Sequence, residues 1–170
     1  MNRRQGERGF TLVELIVVII VIAILAALAI PNFTSSAQDA KVSTLAGDLA
    51  VVRNAISLYY HQHDSTYPGA KKTDGSGSAV GAADLPAAFE DQLTLYTDAD
   101  GKTNETVDPA FPYGPYLVKG IPTNPVVGNA DVHCVNTGGV PAYDSDQTEG
   151  WIYDYVSGQI ISNDPTHGGL

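Results

Sequence analysis

Gly9-Phe10-Thr11-Leu12-Val13-Glu14-Leu15-Ile16-Val17-Val18-Ile19-Ile20-Val21-Ile22-Ala23-Ile24-Leu25-Ala26-Ala27-Leu28-Ala29-Ile30 is the stretch from which the fold of this chain can be read. From Leu15 to Ile30 every residue is apolar, sixteen in a row. With Phe10 to Val13 added, the run is about long enough to cross the ~30 Å hydrocarbon core of a bilayer as a helix. Upstream, Met1 to Gly9 carries Arg3, Arg4 and Arg8 against a single Glu7. Positive charge beside an apolar span stays on the cytoplasmic side, so the remainder of the chain is expected to face outward.

One residue breaks the pattern. Glu14 places a carboxylate inside the apolar stretch, where insertion costs about 2.5–3.5 kcal/mol. A cleaved secretory signal, with Ala27-Leu28-Ala29 as its small-x-small site, would release an exported periplasmic or extracellular binding domain, but it has no use for that charge. A plain membrane anchor explains the length of the run and leaves both Glu14 and the polar Thr11 without a purpose.

Gly9-Phe10-Thr11-Leu12-Val13-Glu14-Leu15, behind a short basic leader and ahead of the apolar run, resembles the class III signal of type IV pilins and type II secretion pseudopilins. Pro31 resembles the proline that this family carries at the twenty-second mature position. The resemblance implies that a prepilin peptidase cuts after Gly9 and methylates the new amino group of Phe10. It also implies partners: copies of the chain and other pseudopilins in a helical filament, an inner-membrane assembly platform, and lipid. The subunit would sit in a bacterial inner membrane with its C-terminal domain in the periplasm before it joins the filament. Farther along, Phe111-Pro112-Tyr113-Gly114-Pro115-Tyr116-Leu117, Ile121-Pro122-Thr123-Asn124-Pro125 and Gly150-Trp151-Ile152-Tyr153 with Gly158 resemble the major, G-type pseudopilins. A pseudopilus subunit is therefore expected, with a type IV pilus pilin as the alternative. Many type IVa pilins close a C-terminal loop with a disulfide, which a chain with Cys134 alone cannot form.

Elementary electrostatics gives Glu14 a role in such a filament. Removing residues 1–9 takes away three Arg and one Glu, carries the net charge from −10 to −12, and leaves an ammonium at Phe10. An ammonium and a carboxylate each pay a heavy desolvation penalty in hydrocarbon, and pairing relieves both. Between neighbouring subunits that pair would fix axial register, the best-attested use of a buried ion pair.

The expected fold is α+β, with a long N-terminal helix packed on a small antiparallel β-sheet with long loops. Residues 1–9 form the leader, 10–30 the membrane and assembly helix, 31–63 an amphipathic helix, and 64–170 a globular region. Val42, Leu45, Leu49, Val52, Ile56 and Tyr59 recur at threes and fours, while Lys41, Ser43, Asp48, Arg53, Asn54 and Ser57 occupy other faces. A helix from Phe10 to His63 would be roughly 80 Å long, with a kink or meltable segment over Ala27 to Pro31 and a second weak point at Gly47. Asp64 to Ala83 is rich in Gly, Ser, Asp and Pro and reads as an exposed loop. A short helix is predicted from Asp84, its side chain acting as cap, with Ala88, Phe89 and Leu93 on the apolar side. Strands are predicted at Asp131 to Asn136, Gly150 to Val156 and Gln159 to Asn163, the last two joined as a hairpin through Ser157-Gly158.

The G-type resemblance also implies a calcium ion in a C-terminal loop. Calcium takes six to eight oxygens, and two acidic turns could supply them: Asp144, Asp146 and Glu149, or Asp98 and Asp100 with Asn104 around Gly101. Neither has the full EF-hand spacing. The net charge of −10 argues against nucleic acid as a partner. His61 and His63, two apart on a helix, point to different sides and read as surface residues, and adjacent His133 and Cys134 in a strand face opposite ways. No nucleophile elbow, phosphate loop or paired-histidine zinc motif is present, so the chain reads as a non-enzyme.

Overall fold

The computed structural model describes residues 10–79 and 84–170, with the side chains of residues 28–35 outside the description. Gly9 therefore lies outside the described residues, as does the side chain of Pro31. In chain order the elements are α1 (Leu12–Gln62), α2 (Leu85–Thr94), β1 (Tyr96–Thr97), β2 (Thr103–Asn104), β3 (Val132–Val135), β4 (Trp151–Asp154) and β5 (Gln159–Ser162). The chain divides into two compact units, one up to Ala40 and one from Lys41 to Leu170.

In the first unit the backbone of α1 is helical through Pro31. Every large apolar side chain from Phe10 to Leu25 is exposed, Ile16 at 42% being the most covered and Phe10 at 81% the least. Among the described residues no helix is long and apolar enough to cross a membrane. The described side chains of the apolar run end at Ala27.

The second unit is built around one face of α1. Leu45, Leu49, Val52, Ile56 and Tyr59 are buried in its core, as their spacing requires, whereas Lys41, Ser43, Arg53, Asn54 and Ser57 are exposed. The helix continues through Gly47, which lies in open space. In α2, Leu85, Ala88, Phe89 and Leu93 face the same core, and Phe89 packs on Tyr153 of β4 with ring centroids 4.2 Å apart. Asp84 occupies the N-cap position, but its backbone is helical and its side chain makes no capping bond, so Pro86 in the first turn marks the start instead.

The sheet differs from its expectation. β4 and β5 pair antiparallel, with Asp154 opposite Gln159, while β3 pairs with β4 in parallel, with Val132 opposite Trp151. The sheet is thus mixed rather than antiparallel, because residues 136–150 cross over and return in the same direction. A second, two-stranded sheet, β1 with β2, arises where Thr97 and Thr103 face each other across the Asp98 turn.

Polar side chains hold the loops to this frame. Gln92 is fully buried on α2; its Oε1 accepts from Gly69 N, and its Nε2 donates to the carbonyls of Lys71 and Gly101. Asn124 does the same for the β3 approach: its Nδ2 donates to Gly150 O and Ser162 Oγ, and its Oδ1 accepts from Val126 N and Val127 N. Trp151 Nε1 donates to Pro122 O and Tyr153 Oη to Pro68 O. Each of these side-chain groups meets a partner, which is what keeps its desolvation from costing about 1–3 kcal/mol.

His63 is not a surface residue. It is 2% exposed, stacked on Tyr59 at 3.7 Å, with edges toward Tyr113 and Tyr116. It lies just past the last residue of α1 but keeps the helical bond from its N–H to Tyr59 O at 3.0 Å, so its ring continues the buried face of Leu45, Leu49, Val52, Ile56 and Tyr59. Nδ1 lies 2.8 Å from Tyr59 O and Nε2 3.0 Å from Thr97 Oγ1. Burial pulls the imidazole below its ordinary value, against the opposing pull of the Tyr59 carbonyl and of Asp98. The unfolded chain, with an ordinary imidazole near pH ~6.5, therefore binds the proton more readily than the folded one. Stability is full above about pH 6.5 and falls as the pH drops toward the lowered folded value. We expect the melting temperature of the purified chain to drop by a few degrees from about pH 7.5 to about pH 5. His63→Gln, melting lower at neutral pH, should lack most of that slope.

Candidate assembly site at the N-terminus of α1

Thr11 stands at the helix N-cap, its carbonyl accepting the first intrahelical bond from Leu15 N at 3.3 Å. Glu14 follows at the third helical position. The Thr11 N–H and hydroxyl both donate to Glu14 Oε2 at 2.9 Å, and Glu14 N–H donates to Thr11 Oγ1 at 3.3 Å. This is a reciprocal capping box, Thr-x-x-Glu, which satisfies two of the amides that a helix start leaves without partners. The carboxylate is tied back to Thr11, one residue from Phe10, and among the described residues its Oε1 has no partner. The site thus holds one carboxylate at the head of an exposed apolar helix, adjoining the nitrogen that a cut after Gly9 would free. The sequence reading found Glu14 and noted Thr11 only as an unexplained polar residue. The Thr-x-x-Glu spacing was the signal that could have assigned it.

The calcium candidates lie elsewhere and do not form a cradle. Asp98 Oδ1 accepts from Asp100 N and Lys102 N, both at 2.9 Å, and Asp100 lies 3.5 Å from Lys71 Nζ at the surface. Asn104 is turned to Thr106. Asp144 Oδ1 accepts from Asp146 N, while Glu149 stands apart with a buried Oε2 that has no hydrogen-bond partner. Among the described residues, no three His, Cys, Asp or Glu side chains gather where they could hold a metal ion. His61 is exposed, and Cys134 packs against the core, where burial pushes its thiol up to about 12.

Residues 4–30 match the model of the prokaryotic N-terminal methylation motif. The chain is 35% identical over 71 residues to the ComG operon protein 3 homolog of Bacillus licheniformis, covering 42% of this chain and 73% of that one. It belongs to the type IV pilin and pseudopilin family. Two further family members are type II secretion system core protein G of Pseudomonas aeruginosa, 42% identical over 59 residues, and that of Klebsiella michiganensis, 32% over 66. These matches cover 35% and 39% of this pilin-like chain, and 41% and 46% of the relatives, so the chain spans under half the length of either core protein G. No solved structure matches it significantly.

Proposed function

We propose that this chain is a structural subunit of a type II secretion pseudopilus, cut and N-methylated by a prepilin peptidase and polymerised through α1 to support protein export. The observation that carries the proposal is the bare apolar surface from Phe10 to Leu25 headed by the Thr11–Glu14 box. A surface of that extent has no place in water, and a carboxylate at its head has no place in lipid unless a cation meets it. Neighbouring copies of the same helix, each bringing a Phe10 ammonium, supply both needs. In this reading the apolar run holds the subunit in the inner membrane, with residues 41–170 on the outer side, and the chain is a building block rather than an enzyme. A type IV pilus subunit is the second reading, because relatives named for two different systems, core protein G and ComG operon protein 3, match the same chain.

Sequencing the mature N-terminus tests the proposal: a methylated Phe10 supports it, and a start at Ile30 would make the chain an exported domain. Gly9→Leu should reduce processing at least tenfold, because a side chain there obstructs entry of the bond into the peptidase. Efficient maturation of that variant in cells, seen as the shorter product on an immunoblot, would sink the leader assignment.

A further inference from the structure

We propose that the C-terminal half of this chain is locked by filled side-chain hydrogen-bond hubs, with Asp154 as the principal one, in place of a bound divalent cation. Asp154 is fully buried at the end of β4. Its Oδ2 accepts from Gly138 N at 2.8 Å and from the Thr137 hydroxyl, and its Oδ1 accepts from Val156 N at 2.8 Å and Ser157 N at 2.9 Å. A carboxylate offers about four lone-pair sites, and protein donors occupy all of them. One side chain thereby joins the exit of β3 to the turn between β4 and β5. Burial pushes its carboxyl up, but the Thr137 hydroxyl and the amides of Ser157, Val156 and Gly138 outweigh that and hold it at about 2.

The pattern recurs nearby. Asp164, 5% exposed, accepts from Thr166 N and His167 N on Oδ1, which also faces His167 Nδ1 at 3.0 Å, and from Ser162 Oγ on Oδ2. Asn163 knits the acidic turn from within: its Oδ1 accepts from Asp144 N, and its Nδ2 donates to the carbonyls of Gln147 and Glu149. A cation entering this region would have to displace several hydrogen bonds at once, because the buried carboxylates are spent and those with free oxygens lie at the surface. Glu149 Oε2 is the exception, buried and unpaired, and so marks the position where the inference can fail. None of this depends on the assembly reading, since the hubs lie within residues 41–170.

The test is thermal melting of the full chain in detergent, with millimolar calcium chloride and then with excess chelator. The two curves should superimpose, whereas a cation bound to the folded state alone would raise the midpoint by several degrees. Asp154→Asn should lower the midpoint by several degrees, equally in calcium and in chelator. If that variant fails to fold, Thr137→Val removes a single donor and should give a smaller, equally calcium-independent drop. A calcium-dependent rise in the parent that Glu149→Gln abolishes would overturn the proposal, as would an Asp154→Asn deficit that calcium repairs.

Discussion

Glu14→Val is expected to leave cleavage after Gly9 intact and to reduce filament assembly about a hundredfold. The cut bond lies five residues earlier, and loss of the charge makes insertion easier. Assembly suffers because the incoming Phe10 ammonium finds no partner, which costs about 3 kcal/mol or more per contact in an apolar setting. The capping box adds a second loss, since Val cannot close the ring of bonds with Thr11. Glu14→Gln separates the two effects: glutamine can keep the box but carries no charge. Filaments counted by electron microscopy, beside the fraction of subunit cleaved, should be scarce for both variants. Normal filaments from fully processed Glu14→Gln would mean that the cap matters and the charge does not, and normal filaments from Glu14→Val would remove both.

Gly158→Ala should be among the most damaging single-methyl changes in the region from Lys41 onward. Gly158 ends the turn between β4 and β5 with φ +72°, in the left-handed region where a side chain costs about 1–3 kcal/mol. A Cβ there would also come within 2.1 Å of the ring of Tyr67. That ring is stacked in turn on Tyr60 of α1 at 4.4 Å, so moving it aside would give up that contact. Strain and overlap together should cost about 3–5 kcal/mol, a large part of the stability of a domain this size. A drop in melting temperature of more than about 10 °C is the expected reading. A variant melting within about 2 °C of the parent would show that the Tyr67 contact is loose.

The helices were legible because their signal is local. Leu45, Leu49, Val52, Ile56 and Tyr59 could only share a face on a helix, and the apolar run with its single carboxylate announced α1 without reference to anything distant. Strands β4 and β5 showed through their length and the intervening Ser157-Gly158. The parallel pairing of β3 did not, because the direction in which residues 136–150 bring the chain back is decided by tertiary packing. Nothing in the sequence singles out Gln92, and Asn124 stands there only as one residue of the Ile121-Pro122-Thr123-Asn124-Pro125 motif; only the assembled loops reveal that each binds three or more separate partners. His63 was within reach of the sequence: four residues past Tyr59 it continues the same buried face, a spacing that the comparison with His61 alone passed over. At the assembly site, Glu14 was visible as a misfit in its surroundings, while Thr11 required the capping geometry.

The uncovered flank of α1 also decides where subunits can be stored. Immersing the large side chains from Phe10 to Leu25 in water would cost on the order of 20 kcal/mol, so in the proposed filament no aqueous pool of monomer would feed a growing fibre or receive what a shrinking one sheds. Supply and return would both run through lipid, and growth would respond to the surface density of subunits in a two-dimensional reservoir. A cell could then lengthen or retract the fibre by moving the same molecules between bilayer and shaft, without new synthesis.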